Sequence, residues 1–258
     1  MELIKSAVRR SRLSDVVYVV LNLGFAGLVL ALTILFDPPI IAYLLVVLSK
    51  WRVFAVRPRF WFANVQTNVV DLLVGLSVVT LIWLTDGTAV IQVLLAVLFA
   101  GWLLIIKPRA KRQWVLMQAG ISQFLALIAL FSIAYTWPSF LVVLIAWVIG
   151  YVTARHALNA YHEEEQTLLS LAWGLIVAEL SWLAYHWTIA YTVVGELKVP
   201  QIAIIVTLLG FVGIKLYANY QDNKQSFKFS ELRWPLIFAV AVIGMLLVRF
   251  SGLDMTQL

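Results

Sequence analysis

The chain has 258 residues, of which 63% are apolar and 12% charged, with a formal net charge of +6 and no cysteine. An ordinary soluble domain is roughly 45–50% apolar and about 25% charged, so a water-solvated globule is excluded and lipid must cover much of the outside. Disulfides, thiolate metal sites and cysteine nucleophiles are excluded too, and nucleic acid is not an expected partner, because the basic residues fall between apolar blocks, where they set orientation and meet anionic headgroups.

The apolar blocks run about 18 to 22 residues, the length a helix needs to cross roughly 30 Å of hydrocarbon. They predict an all-α polytopic transmembrane bundle forming a single domain without a soluble part. Nine spans are expected, near 16–36, 39–56, 65–84, 89–106, 114–135, 138–154, 167–193, 201–218 and 234–250. The first block follows Lys5, Arg9, Arg10 and Arg12 like a signal peptide, but it is too long and no small-x-small cleavage site precedes Asp37, so it reads as an uncleaved span.

The second block is the weak one. From Ile40 to Ser49 it is short, and it crosses only if Lys50 and Arg52 extend to the headgroups. The stretch after it interleaves cations and rings: Lys50, Trp51, Arg52, Arg57, Arg59 and Trp61. Beside a membrane this is an interfacial anchor, with rings at headgroup depth and cations on lipid phosphates.

In the third span Asn64, Asn68, Asp71 and Gly75 fall at steps of four, three and four, on one narrow helical stripe. A carboxylate within a span is costly and faces a partner, a cavity or a path. Two readings follow: a hydrated vestibule with Asp71 as a cation or proton site, or a structural bond from Asp71 to Asn22, Gln118 or Lys50.

The loop after the sixth span holds His156, His162 and the run Glu163, Glu164 and Glu165. Two imidazoles and three carboxylates are metal donors, but no established ligand spacing is present. Acids at a helix start answer to the helix dipole without any metal. As the one acidic loop on a basic face, it is also a candidate contact for a membrane or cytoplasmic protein.

In the seventh span Glu179 and His186 lie on one face with Trp182 between them. They are a candidate proton or cation path from mid-membrane to the outer face. The structural alternative keeps Glu179 neutral and hydrogen-bonded and places His186 with Tyr185, Trp187 and Tyr191 in an interfacial aromatic belt.

Placing the N-terminus in the cytoplasm and the C-terminus outside leaves only Lys198 and Arg249, of 19 Lys and Arg, towards the outside. A multi-pass protein of the cell membrane is expected, in contact with anionic headgroups. Catalytic signatures and phosphate loops are missing, so no cofactor and no metal are expected, and an enzyme is the weaker class. Transport or permeation of an ion or small solute past Asp71 and Glu179 ranks first. A scaffold or assembly subunit docking a partner through its loops ranks second, and a lipid-modifying enzyme third.

Overall fold

The computed structural model describes residues 2–249 apart from Phe54, Val56, Pro58, Phe60, Thr188, Gly195, Lys224 and Gln225; side chains are described from Ser14 onward, except those of Arg52, Phe62, Ala63, Thr67 and Arg249. Among the described residues the chain is helical but for one hairpin. Its elements are α1 (Glu2–Leu35), α2 (Ile40–Leu48), α3 (Trp61–Leu84), α4 (Ala89–Gly101), α5 (Arg112–Ile133), α6 (Ser139–Asn159), α7 (Gln166–His186), strands β1 (Ala190–Val194) and β2 (Leu197–Pro200), α8 (Gln201–Asp222) and α9 (Phe229–Arg249).

Among the described residues seven helices are long and apolar enough to cross a membrane: α1 from Ser14, α4 with the turn that prolongs it to Ile106, and α5 to α9. Their outward faces are apolar along most of their length, with Val90 83%, Phe140 72% and Val240 68% exposed. Such surface is stable only in lipid, and the protein is membrane-embedded.

The chain divides into two compact units, Met1–Trp114 with Val194–Leu197, and Val115–Val193 with Lys198–Leu258. In the first, α3 is the central helix, packed by α1, α2 and α4. Its inward positions are mostly small or β-branched, with Val74, Val79 and Ile82 at most 1% exposed. Such side chains let neighbouring helix axes come close without lost rotamer freedom.

The segment expected to span 39–56 is helical only over Ile40–Leu48, about 13 Å at 1.5 Å per residue, less than half the hydrocarbon thickness. Its end has a local cause: Ser49 Oγ turns back to Val46 O at 2.6 Å, and a short 3₁₀ turn, Trp51–Val53, follows. α2 runs antiparallel to α3 through a ladder of contacts. Trp83 Nε1 donates to Asp37 Oδ1 at 3.0 Å, the Tyr43 and Thr80 hydroxyls are 2.9 Å apart, and Val46 lies against Gly75. A Cβ on Gly75 would stand 2.7 Å from Val46 Cγ1, so only glycine admits α2 at this distance.

In the second unit α5 is the most enclosed helix, and α6 and α7 form a close antiparallel pair. Gly150 and Gly174 make that approach possible. A Cβ on Gly150 would lie 2.8 Å from Val177 Cβ, and one on Gly174 would lie 3.0 Å from the Trp147 carbonyl oxygen. Small residues at the crossing replace the hydrophobic drive that lipid removes.

The seventh span, expected to reach 193, ends as a helix at His186. Ala190–Val194 and Leu197–Pro200 pair as the β1–β2 hairpin instead. Tyr191, Thr192, Val193, Val194 and Val199 are strand-favouring side chains, and Tyr191 and Val193 also continue the apolar run on which the span is expected to reach 193. Gln201 N donates to Ile189 O at 2.8 Å, closing the hairpin where α8 begins.

Candidate functional site

The most charged buried feature of the first unit is centred on Asp71. α3 places this residue about 20 Å from Leu84 and about 15 Å from Trp61 along its axis, within the membrane-spanning part. Lys50, just past the C-terminal end of α2, pairs with Asp71 Oδ2. That end of a helix favours a cation. Lys107 Nζ reaches the same oxygen at 2.8 Å, and Trp102 Nε1 donates to Oδ1 at 2.9 Å. The side chains of Lys50 and Asp71 are 15% and 11% exposed, and that of Lys107 is 36% exposed, so the cluster opens on the Lys107 side.

A distortion of α4 creates this convergence. Trp102–Ile106 is a π-helical turn, closed by Lys107 N donating to Trp102 O at 2.9 Å. In a regular α-helix two residues five apart are about 140° apart around the axis, at about 100° each. The wider turn brings them back towards one face, so that Trp102 and Lys107 both address α3. Such π turns recur at functional sites.

Of the predicted stripe, Asp71 and Gly75 both face α2. Asn68 Nδ2 donates to Asn64 O at 2.9 Å, and both asparagines are half-buried. Asp71 does not stand as an open carboxylate: three donors occupy it, one of them the Lys50 that the structural reading named. Lys50 therefore turns to α3 rather than to headgroups. Trp51, Arg57, Arg59 and Trp61 are exposed, and the Arg52 side chain lies outside the described residues.

In the second unit Gln123 of α5 joins four helices. Its Oε1 accepts from Thr153 Oγ1 at 3.0 Å and from Trp173 Nε1 at 2.8 Å, and its Nε2 lies 3.5 Å from Val206 O. His156 Nε2 lies 3.0 Å from Gln118 Oε1, which directs it to α5 and away from the acidic loop. There Glu163 accepts from Gln221 Nε2 at 3.2 Å, while His162, Glu164 and Glu165 are exposed. Among the described residues no three carboxylates or imidazoles gather as metal donors.

Glu179 and His186 share a face, as their spacing predicts, but α7 turns that face outward. Both are exposed, and the His186 ring packs edge-on against Trp182 and Tyr185 at centroid distances of 4.9 and 5.5 Å. Asp71 and Glu179 belong to different compact units.

Sequence reasoning missed Lys107, Trp102 and Gln123 as interior partners. Lys107 stands first in a basic loop, and Trp102 and Gln123 sit in apolar runs. The one available signal was the pair of glutamines, Gln118 and Gln123, inside the fifth span. Compared with family models, with curated proteins and with solved structures, the chain matches none.

Proposed function

We propose that this chain is a nine-span protein of the cell membrane, with a cytoplasmic N-terminus and an external C-terminus, that transports or admits an anionic solute. The observation that carries the reading is the convergence of Lys50 and Lys107 on one oxygen of Asp71. Two ammonium groups against one carboxylate leave a surplus positive charge at a depth where unpaired charge is costly. An anion entering beside Lys107 restores neutrality, and Asp71 holds the lysines apart and in place when no anion is bound. The cation path expected from the sequence is less well supported, since Asp71 is filled by donors and Glu179 faces outward.

Nine crossings are supported by the α2–α3 ladder. α2 runs antiparallel beside α3, and α3 begins at Trp61, about 15 Å beyond the level of Asp71 and so beyond the depth at which α2 ends. The orientation rests on the basic residues, of which only Lys198 and Arg249 fall towards the far side.

The test is anion efflux from proteoliposomes with chloride, nitrate, sulfate and phosphate, for the parent, Lys50→Met and Lys107→Met. Each variant leaves a neutral pair with Asp71. The expected result is efflux of at least one anion by the parent, reduced at least tenfold in both variants. Absence of efflux for every anion, or efflux that both variants retain, overturns the reading. Co-purification of anionic lipid without any efflux assigns the site to a headgroup and also overturns it.

A second reading, the assembly subunit, is favoured by one observation: Glu179 faces outward, with no side-chain partner among the described residues.

A further inference from the structure

Two residues past the π turn of α4 stands Pro108. The π turn gives Lys107 N to Trp102 O at 2.9 Å, so the Leu103 carbonyl loses the donor that a regular α-helix would supply, the N–H four residues on. A continuing π pattern would place its donor five residues on, but that residue is Pro108, which has no N–H. Leu103 is 2% exposed, and a buried carbonyl without a donor is costly. The donor comes from another helix: Tyr18 Oη of α1 donates to Leu103 O at 3.0 Å. Beside this bond α1 and α4 meet through apolar rings, Phe25 against Phe99 at a centroid distance of 6.1 Å.

We infer that Tyr18 is the positioning residue of the charged cluster: its hydroxyl, by occupying the Leu103 carbonyl, holds α4 in the π pattern and so keeps Lys107 on Asp71. Lys107 N has two acceptors within one turn, Trp102 O in the π pattern and Leu103 O in the α pattern. With the Tyr18 hydroxyl on Leu103 O, the π pattern leaves neither carbonyl unmet. Without it, only the α pattern satisfies both, with Ile106 N turning to Trp102 O and Lys107 N to Leu103 O. Lys107 then returns to about 140° from Trp102 around the axis and leaves α3.

Lys107 is the residue on whose side the cluster opens, its side chain 36% exposed against 15% for Lys50. The Tyr18 hydroxyl bonds the backbone of α4, whereas Asp71 takes its donors from Lys50, Lys107 and Trp102. Tyr18 therefore acts through Lys107. Its effect on transport rests on the anion reading, whereas its hold on Lys107 does not.

The test measures acetylation of Lys107 by a water-soluble N-hydroxysuccinimide ester in the full, detergent-solubilised chain, read by peptide mass spectrometry against the exposed Lys111 of the same loop. A lysine held in an ion pair reacts slowly, so the ratio of Lys107 to Lys111 reports the hold of Asp71. The ratio is expected to rise severalfold in Tyr18→Phe and to stay at the parent's value in Tyr43→Phe, which loses a comparable hydroxyl bond, to Thr80, elsewhere in the unit. Pro108→Ala supplies an N–H five residues after Leu103 and, added to Tyr18→Phe, is expected to return the ratio to the parent's. A mere loss of packing at Tyr18 would not respond to it. A ratio unchanged in Tyr18→Phe, one raised equally in Tyr43→Phe, or one that Pro108→Ala leaves raised overturns the proposal. In the efflux assay Tyr18→Phe is expected to lower anion efflux severalfold and Pro108→Ala to restore it. Efflux that Lys107→Met reduces and Tyr18→Phe leaves intact overturns it equally, whereas a raised ratio in a chain without efflux supports the hold on Lys107 and tells against the anion reading alone.

Discussion

Lys107 Nζ lies 2.8 Å from Asp71 Oδ2, the oxygen already paired with Lys50, although α4 turned as a regular helix would direct Lys107 elsewhere. Stability therefore depends on charge count rather than on the number of contacts. Asp71→Asn leaves two ammonium groups facing each other and is expected to cost about 3–5 kcal/mol, as for other buried pairs broken on one side. Asp71→Asn with Lys50→Met removes that repulsion and is expected to recover at least half the loss. Lys107→Met leaves the neutral Lys50–Asp71 pair, at a partly exposed position, and is expected to change stability by about 1 kcal/mol or less. Unfolding of the detergent-solubilised protein followed by tryptophan fluorescence checks the series; equal losses for all three would contradict it.

Gly75 admits Val46 of α2 with no room for a methyl group. Gly75→Ala is expected to destabilise by about 1–3 kcal/mol, the range for overpacked sites, because Val46 is buried and stiff at χ1. Val46→Ala in the same chain is expected to recover most of that loss. A double variant no better than the single one would place the cost in the α3 backbone instead.

Gly174 differs, since its added Cβ would press on the Trp147 carbonyl, a backbone atom. Gly174→Ala is expected to cost about 1–3 kcal/mol, and trimming Trp147 to Leu is not expected to restore it. Thermal unfolding of the single and double variants decides the point.

Much of the architecture was legible in the chain because lipid imposes one rule, that apolar blocks of spanning length become helices. The stripe from Asn64 to Gly75 identified the inward side of α3 from spacing alone. Of the three donors on Asp71 it offered Lys50 alone. Lys107 and Trp102 meet Asp71 only through a π turn in Trp-Leu-Leu-Ile-Ile, whose apolar sequence resembles that of any span. Periodicity likewise put Glu179, Trp182 and His186 on one face but is silent on whether a polar face turns inward, since that depends on which side bears the glycines that pack. Tyr191 to Val194 extended an apolar run whose strand preference emerges only in the hairpin.

Gln123 is expected to behave as a cross-brace. Gln123→Leu leaves the Trp173 indole N–H without its acceptor, whereas Thr153 keeps its bond to Ile149 O at 2.8 Å. A loss of about 1–2 kcal/mol is expected, against a few tenths for Thr153→Val. Unfolding midpoints of the two variants in one detergent check the order; the reverse order would assign the brace to Thr153.

The central claim is that the Lys50–Asp71–Lys107 cluster binds an anion, and the most direct measurement is the unfolding midpoint of the purified protein titrated with phosphate and with sulfate at constant ionic strength. A ligand at about 100 times its dissociation constant stabilises by about 2.7 kcal/mol, a readily measured rise. The midpoint of the parent is expected to climb with one of the two anions and to stay flat in Lys50→Met and Lys107→Met. An equal rise in the parent and both variants, or none in the parent, would contradict the account.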